Sequence, residues 1–556
     1  MDRVPNEILG QICLYLQGPE HGPCRDLSSL SWVKWICYNA AAPILYRKLT
    51  LKFWDMESLL HRDRSWAPLK SLIAYLDYLE QLDFITTNEF TSDLQQAISY
   101  YHPNCRVNIT WRQAVGYSVL GTETRKQLNH RETWSDYEFD INVLQLPGLH
   151  SLAVTLIDSK RLSAGREDLD EMLPFLVTAP GLKHLDLQGQ IDHLGFPLAR
   201  LRGKWQGLID ARPPSQISQL ESIIISGSGP REDILFKLAA AGNLSNLRTA
   251  VLAKVYEPEN LAKVAKLFPN LERLFIEPNP RRRRWIHLKA DHDDSIAAIR
   301  AFRPLKYLCL HSLRKVENFH RIVEQHGPSL KGLIIEPSGP AHSQYPRLEV
   351  SDIVQLATCC PNLEELRLQV QRSVGSQAEC ELYKALGGFF NLDSLVLDLQ
   401  FDARIEPARR HLDMEDPTAL RTTFMNAARD EKLALGIWAM IKLNKASRLQ
   451  YLRVVPFGNE RFPGEESYLL YCFARSFLVT RYNFQNPASP SVEEIGTRAR
   501  EIARERTESS VYSDEIDELS LPERLTLLLH DIWPQVPEPC DWRSCWTSFP
   551  FETDTT

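Results

Sequence analysis

A short pattern of hydrophobic positions, Leu-x-x-Leu-x-Leu, recurs along this chain in full or degenerate form. Ten copies begin at Leu149, Leu182, Leu220, Leu247, Leu271, Leu305, Leu330, Leu363, Leu392 and Leu449. In an extended chain the side chains alternate between two faces, so the second and third leucines of a copy lie on the same face. The pattern therefore predicts one short strand per copy, with apolar anchors on one face and the intervening residues on the other.

Helical patterns lie between these predicted strands. Pro258 begins one helix, in which Leu261, Val264, Ala265 and Phe268 form an apolar face. Two further helices are indicated by the sets Phe319, Ile322 and Val323, and Ile353, Leu356, Ala357 and Cys360, the second with Ser351 as its predicted N-cap. The chain therefore alternates strand and helix, which predicts an α/β fold.

The alternation resembles leucine-rich repeats, in which each unit buries its apolar face only by stacking on its neighbours. Such repeats have a period of roughly 20–29 residues. Here the spacing between successive first leucines runs from 24 to 57 residues, so the array is irregular and contains insertions. The alternative is an ordinary α/β sheet in which the leucine pattern arises by chance.

The predicted architecture is an N-terminal three-helix segment followed by an irregular solenoid, with a curved parallel sheet inside and helices outside. The segments are 1–50 for the helices, 51–140 for a linker with the first irregular repeats, 141–460 for the solenoid and 461–556 for a C-terminal cap. Insertions interrupt the solenoid at 188–217, 278–290 and 400–445, and one long helix is predicted over roughly 418–445. The cap is expected to hold Trp533, Trp542 and Trp546 and a polar mobile segment at about 485–520.

Composition and charge narrow the class of protein. The net charge of −7 gives no electrostatic signal for nucleic acid. No run approaches the ~18 apolar residues that span a membrane, and no signal peptide is visible. Eleven scattered cysteines are typical of reduced intracellular thiols. We therefore expect a cytoplasmic or nuclear protein without a nucleic-acid or membrane partner.

The first 50 residues resemble an F-box. The matching positions are 4–9, 12, 15–16, 26–27, 30, 33–34 and 43–47. With the leucine pattern, the chain resembles the F-box-like proteins abundant in filamentous fungi, which join such a segment to degenerate leucine-rich repeats. The chain departs from that family at residues 18–24, where two Gly-Pro pairs lengthen a connection that is usually shorter. The alternative is a plain three-helix cap for the repeats.

The resemblance implies a substrate-recognition subunit of a cullin-based ubiquitin ligase. Its N-terminal segment would bind a Skp-type adaptor, and through it a cullin, while the repeats hold a protein target. The residues implied for adaptor binding are Pro5, Ile8, Leu9, Ile12, Leu16, Leu30, Val33, Leu45 and Tyr46. Such a receptor performs no bond chemistry and acts by bringing target and ubiquitin carrier together. The alternative is a leucine-rich-repeat scaffold for protein interactions without ligase association.

The sequence offers no catalytic constellation, so we predict neither an enzyme nor a cofactor or metal. Ser226-Gly227-Ser228-Gly229 lacks the spacing of a nucleophile elbow or phosphate loop and reads as a turn. Cys540 and Cys545 have no second pair beside them, which argues against zinc. The basic run at 281–284 is either a solvated turn or a contact for a nuclear-import or acidic partner.

The remaining candidate site is the face of the predicted sheet opposite the leucines. Its predicted target-binding residues are His184, Asp186, Arg273, Phe275, Tyr307, His311, Glu365 and Arg367. Mixed charge with aromatic residues is typical of surfaces that recognise proteins rather than phosphate backbones. A rival hypothesis is an enzyme built from scattered residues of this face, which a compact cluster of perturbed ionisable groups in a deep pocket would favour.

Overall fold

The structure, a computed structural model, divides the chain into two compact units. The first unit comprises residues 1–253 and 266–271, and the second comprises residues 254–265 and 272–556. The described residues are 9, 12–13, 28, 31, 35–53, 73–86, 92–111, 146, 148–158, 179–191, 219–227, 235–236, 238–239, 244–252, 258–277, 292–311, 313, 315–336, 347–402, 417–444, 447–458, 464–481, 489–511, 521–536, 541–542, 544–549 and 551.

The first unit contains a series of parallel strands. Its strands are β1 (Lys48–Phe53), β2 (Gln81–Thr86), β3 (Arg106–Trp111), β4 (Leu149–Asp158), β5 (His184–Ile191), β6 (Ser222–Gly227) and β7 (Thr249–Leu252), and its helices with described bounds are α1 (Trp35–Leu45) and α2 (Ser92–Tyr101). Each strand pairs in parallel with the next one along the chain. The segments around 81 and 106, predicted to hold the first irregular repeats, therefore do form strands of this series.

The second unit alternates strands with helices. Its strands are β8 (Arg273–Ile276), β9 (Tyr307–His311), β10 (Gly332–Glu336), β11 (Glu365–Gln371), β12 (Ser394–Gln400), β13 (Tyr451–Phe457), β14 (Ser476–Thr480) and β15 (Ser491–Ile495). Its helices are α3 (Pro258–Ala265), α4 (His292–Arg300), α5 (Val316–His326), α6 (Val350–Cys359), α7 (Gln377–Leu386), α8 (Pro417–Ala427), α9 (Glu431–Lys442), α10 (Gly464–Phe473), α11 (Thr497–Val511) and α12 (Glu523–Ile532). The predicted α/β class is confirmed.

The predicted core positions are buried. The leucines expected to face the core, Leu185, Leu187, Leu308, Leu310, Leu366 and Leu368, are all at most 2 % exposed. The apolar faces predicted for the helices that contain Leu261 and Phe319 are also buried. Burial of one leucine side chain stabilises the fold by roughly 1.5–3 kcal/mol, so the repeated pattern supplies much of the driving force for folding.

The parallel order of the second unit ends at β13. β14 pairs with β13 in the antiparallel sense, and β15 pairs with β14 in the same way. Within the segment 485–520, the described residues include the helix α11 and the strand β15, and the polar sequence did not indicate the strand. The three C-terminal tryptophans pack in one buried cluster with Phe424 and Phe473, so they do not form a surface.

Asparagine side chains connect successive copies of the leucine pattern within each unit. In the second unit the Asn362 amide donates to the Pro328 carbonyl and the Asn391 amide to the Pro361 carbonyl, each at 2.9 Å. In the first unit Asn270 donates to the Ser245 carbonyl at 2.8 Å. These bonds explain the asparagine that directly precedes the copies at Leu271, Leu363 and Leu392, because each one satisfies a turn carbonyl of the preceding copy.

Three local predictions were wrong. We expected Pro43 to end its helix, because proline lacks the N–H that bonds to the residue four positions before it. However, α1 runs on to Leu45, and Tyr46 N–H still donates to the Ala42 carbonyl at 3.0 Å. Ser351 is not the N-cap of α6; Glu349 precedes the helix, and its N–H donates to the Asp352 carboxylate at 2.7 Å. The single long helix predicted over 418–445 is two helices, because Asp430 caps a new one by accepting from Leu433 N–H.

Candidate functional site

The strands of the second unit present one face that carries no core leucines, here called the polar face. Parallel register aligns its residues in rows across adjacent strands. One row contains Arg273, Tyr307, Gly332, Glu365, Ser394 and Tyr451, and the next contains Phe275, Cys309, Ile334, Arg367, Val396 and Arg453. All six target-binding residues predicted between 273 and 367 therefore lie on this face. Five of them belong to the two rows, and His311 lies two residues beyond Cys309 on β9.

The first row is built on an arginine–tyrosine stack. The Arg273 guanidinium carbon lies 4.7 Å from the centroid of the Tyr307 ring, a cation–π distance. The ring in turn lies over Gly332, where an added Cβ would approach it to 2.5 Å. Glycine at 332 is therefore required for the ring to lie flat on the sheet. Tyr451, at the other end of the row, is exposed.

A charged network occupies the adjacent strands β9 to β12, here called the Arg367 network. Arg367 donates from Nε and Nη2 to the two carboxylate oxygens of Asp398, at 2.8 and 3.2 Å, and from Nη1 to Glu336 Oε1. Glu336 Oε2 lies 3.1 Å from His311 Nδ1. His311 Nε2 lies 3.7 Å from Cys309 Sγ. The network thus links five side chains that come from four adjacent strands.

Burial dominates the electrostatics of this network. Burial and the nearby Glu336 charge raise the pKa of the Cys309 thiol to about 12, so the free thiol is protonated. Burial also raises the pKa of Asp398, although the hydrogen bonds and charge of Arg367 act against it. Partial shielding from water strengthens the attraction between the two charges, but it does not offset the whole cost of burying the Asp398 carboxylate.

The polar residues predicted in the first unit have different surroundings. The His184 ring lies 4.9 Å from that of His150 on the adjacent strand. Burial lowers the pKa of both histidines, and at His150 the charge of its partner adds to the effect. Asp186 lies two residues after His184 on β5 and is partly buried. In this unit His184 and Asp186 therefore lie on one face, as the alternation predicts.

A second polar cluster of the first unit escaped the sequence analysis. Asp83 accepts hydrogen bonds from Gln81 and Asn108 at 2.8 and 2.7 Å, and Lys48 lies 3.0 Å from it. Burial by itself raises the pKa of Asp83, but these hydrogen bonds and the lysine charge outweigh it and lower the pKa. Asp83 and Asn108 are paired in the register of β2 and β3, so alternation from Leu82 could have indicated them.

Only part of the predicted adaptor surface lies among the described residues. Ile12 and Tyr46 are 41 % and 39 % exposed. Leu45 is partly buried and packs beside Cys13 and Ala41. Leu9 is buried, so it is a core residue and not part of the exposed apolar face that we predicted. Pro5, Ile8, Leu16, Leu30 and Val33 lie outside the described residues, as does the basic run at 281–284.

A buried ion cluster behind the end of β11 was also missed. Arg372 and Glu379 form a 2.5 Å ion pair whose side chains are both 0 % exposed. Glu379 also accepts from Ser373 N–H, Gly375 N–H and the Tyr383 hydroxyl, at 2.7, 3.1 and 2.8 Å. These bonds hold a loop in which Val374 adopts φ 55° and Gly375 φ 77°, a conformation that is uncommon for valine.

Further groups complete this cluster. Phe551 covers it: its ring centroid lies 5.6 Å from the Arg372 guanidinium and 6.1 Å from the Tyr383 ring, and a Cβ at Gly436 would meet it at 2.5 Å. Arg429 is fully buried nearby and donates to the Leu399 carbonyl at 3.3 Å. Burial lowers the pKa of Arg429, and the charge of Arg372 adds to this. We call Arg372, Glu379, Tyr383, Arg429 and Phe551 the buried arginine cluster.

A groove of about 670 Å³ lies where the strands of the second unit begin. Its lining is polar and charged and consists of Ser329, Lys331, Asn362, Glu364, Asn391, Asp393, Arg448, Gln450 and Arg481. Lys331 and Glu364 pair across it at 2.8 Å. The two asparagines are those that link successive copies of the leucine pattern. The groove therefore follows from the stacking of turns, and the Arg367 network lies elsewhere along the same strands.

No protein-family model matches the chain, and no curated protein matches it. Among the helices that the structure describes, none combines the length and the apolar character needed to cross a membrane. What can be concluded for this chain is an α/β fold with mostly parallel strands in both of its units.

Proposed function

We propose that this chain is an F-box-like protein with degenerate leucine-rich repeats that serves as the substrate receptor of a cullin-based ubiquitin ligase. In this proposal the N-terminal segment binds a Skp-type adaptor, and the polar face binds the protein to be ubiquitinated. The observation that carries the proposal is the polar face itself, where arginine and tyrosine side chains are held in rows on hydrogen-bonded strands.

The first row of the polar face suits protein recognition. Arginine and tyrosine dominate the energetics of protein interfaces. Arg273 and Tyr307 are stacked on each other and on Gly332, so little side-chain entropy remains to be lost when a partner binds. Arg367 already pairs with Glu336 and Asp398. It therefore contributes to partner binding mainly through the net charge of the Arg367 network.

The N-terminal residues support the adaptor part of the proposal. Ile12 and Tyr46 are large apolar side chains that remain exposed next to a small core made by Cys13 and Ala41. α1 ends at Leu45, directly before β1, so this segment is joined closely to the first strand. A few exposed apolar anchors of this kind, each worth ~2 kcal/mol or more, are what a typical interface centre contains.

The adaptor proposal is tested with a double variant, Ile12→Asp with Tyr46→Ala, in a pull-down with the Skp-type adaptor. We expect binding to fall roughly 700-fold, because two anchors of ~2 kcal/mol each are lost and every ~1.4 kcal/mol is a factor of ten. Ile502→Asp is the matched control, since Ile502 is 40 % exposed on α11. If wild-type protein fails to bind the adaptor, the scaffold without ligase association replaces the receptor as the preferred function.

The target proposal is tested on whatever protein co-purifies with the chain from native extract. Replacing Arg273, Tyr307 and Tyr451 by alanine should abolish target capture and leave adaptor binding and thermal stability unchanged, because all three side chains are on the polar face and outside the core. Tyr101→Ala is the control, because Tyr101 of the first unit is 50 % exposed and Tyr451 is 49 % exposed. Retention of the target by the triple variant would move the site away from this face.

A further inference from the structure

Three side chains of the Arg367 network carry the donor atoms that transition metals prefer. Cys309, His311 and Glu336 each offer one such atom, and these sulfur, nitrogen and oxygen atoms all lie within 4.8 Å of one another. Thiolate, imidazole and carboxylate are the three ligand types found at protein zinc sites. The grouping lies on the polar face, and the proposed function assigns no metal to it.

Strand geometry explains why these residues meet. Cys309 and His311 are two positions apart on β9, so their side chains lie on the same face of the sheet. Glu336 on β10 is directly paired with His311 in the parallel register. Because neighbouring strands lie about 4.8 Å apart, a residue and its partner across the ladder can bind one ion.

The separations are close to those around one metal ion, with His311 between the other two residues. Cys309 Sγ lies 3.7 Å from His311 Nε2, whereas Glu336 Oε2 lies 3.1 Å from the other ring nitrogen, Nδ1. With one ligand atom taken from each residue, the three atoms lie within 4.8 Å of one another. Bonds of ~2.3 Å to sulfur and ~2.0 Å to nitrogen or oxygen in a tetrahedral arrangement place two ligand atoms about 3–4 Å apart. Because one ion binds only one nitrogen of the His311 ring, the three donors must approach one another by about 1 Å, which rotation of the ring and of the Glu336 carboxylate provides.

A second layer of residues already orients the carboxylate. Arg367 binds the other oxygen of Glu336, and both oxygens of Asp398 hold Arg367 in turn. Carboxylates that ligate metals in proteins are commonly held by hydrogen bonds of this kind. The arrangement therefore fixes Glu336 with Oε2 directed toward His311.

We propose that Cys309, His311 and Glu336 form a binding site for one divalent transition-metal ion, preferentially Zn²⁺, on the polar face of the second unit. On binding, the Cys309 thiol releases its proton to solvent and the thiolate, one imidazole nitrogen and the carboxylate bond to the ion. Three protein ligands leave a fourth position for water or for a donor atom of a bound partner. Thiolate and imidazole together favour Zn²⁺ over Mg²⁺ or Ca²⁺.

The test is a titration of the chelator-treated, full-length protein with Co²⁺, which occupies zinc sites and gives a charge-transfer absorption band when a thiolate binds it. We expect one equivalent of Co²⁺ to produce the band and Zn²⁺ to displace it. Cys309→Ser should remove the band, whereas Cys359→Ser, at a partly exposed thiol of α6, should keep it. Absence of the band from the wild type, or its persistence in Cys309→Ser, overturns the site.

Glu336→Gln provides a second test that does not depend on changing a buried residue. Glu336 is partly exposed, so the variant is expected to fold, which circular dichroism and thermal unfolding verify. Loss of the carboxylate should weaken Co²⁺ binding at least ~10-fold with the charge-transfer band retained at saturation. An unchanged Co²⁺ affinity overturns the assignment of Glu336 as a ligand. Neither result depends on adaptor binding, so the metal site and the proposed ligase function are tested independently.

Discussion

Arg367 and Arg372 lie five positions apart on the same segment, yet their surroundings are opposite. Arg367 is on the polar face, partly exposed, and shared between Glu336 and Asp398. Arg372 is wholly buried with Glu379 at the end of the strand. The first arginine can exchange its partners for a ligand or a binding protein, whereas the second cannot do so without unfolding its surroundings.

The difference shows what an ion pair contributes in the core and what it contributes on the polar face. A buried pair costs desolvation energy that its attraction only partly offsets, but losing one partner leaves an uncompensated charge. Glu379 offsets much of that cost, because it also accepts from two backbone N–H groups and a tyrosine hydroxyl. The pair at Arg372 therefore specifies the shape of a loop, while the pair at Arg367 presents charge on a surface.

The largest expected effect is at the buried pair. Glu379→Ala should lower the free energy of unfolding by about 3–5 kcal/mol, because Arg372 would remain buried without its counter-charge. Glu381→Ala on the same helix is the control, since Glu381 pairs with Lys384 at the surface and should cost at most ~0.5 kcal/mol. Equal losses of stability, measured by chemical denaturation, would remove the distinction between the two environments.

The next largest effect is a pH dependence of stability, which we expect from His326, a buried histidine that stays neutral. His326 accepts from Leu305 N–H through Nδ1 and contacts the Ile299 carbonyl through Nε2, both at 3.3 Å, and burial lowers its pKa to about 4. The unfolded chain titrates near its ordinary value of 6.5. Between these values the unfolded state binds more protons, so stability falls as the pH falls.

The size of this effect follows from the shift. At about 1.4 kcal/mol per pKa unit, the wild type should lose up to about 3 kcal/mol between pH 6.5 and 4 through His326 alone. His326→Gln should lack that part of the pH dependence, whereas His530→Gln should retain it. Unfolding curves recorded across this pH range provide the measurement, and identical slopes for wild type and His326→Gln would contradict the assignment.

The smallest expected effect is at the polar face. Arg367→Ala should cost about 1–3 kcal/mol at neutral pH, because Asp398 is buried and loses its cation. Burial already raises the pKa of Asp398, so the cost should shrink as the pH falls and the carboxyl takes up a proton. Adding Asp398→Asn should recover part of the loss, and a double variant no more stable than Arg367→Ala would show that the pair is not the cause.

Alternation of side chains made the core predictable. Leu308 and Leu366 are buried because residues at even spacing on a strand share a face, a rule that needs only local sequence. The same rule assigned Tyr307 and Arg273 to the opposite face. It would also have indicated Glu336, which follows Leu333 and Ile335 in the degenerate copy at 330, had it been applied there.

The networks themselves were not predictable from local sequence. Arg367 meets Asp398 across 31 positions, and that contact depends on the parallel register of β11 with β12. The Arg372–Glu379 pair is close in sequence, but nothing local distinguishes a buried arginine from the many exposed ones. Burial there depends on Phe551, which arrives from a distant part of the chain. Register and burial are properties of the assembled fold, and pattern reasoning did not supply them.

The position of Phe551 in the chain has a consequence for synthesis. A ribosome makes Arg372, Glu379 and Tyr383 long before it makes the aromatic ring that covers them. Until then water can reach the arginine, and the ion pair forms in a hydrated setting where its desolvation cost has not yet been incurred. Water is therefore excluded from the buried arginine cluster only when the last helices and Phe551 pack against it. This packing is a late step in the folding of the second unit.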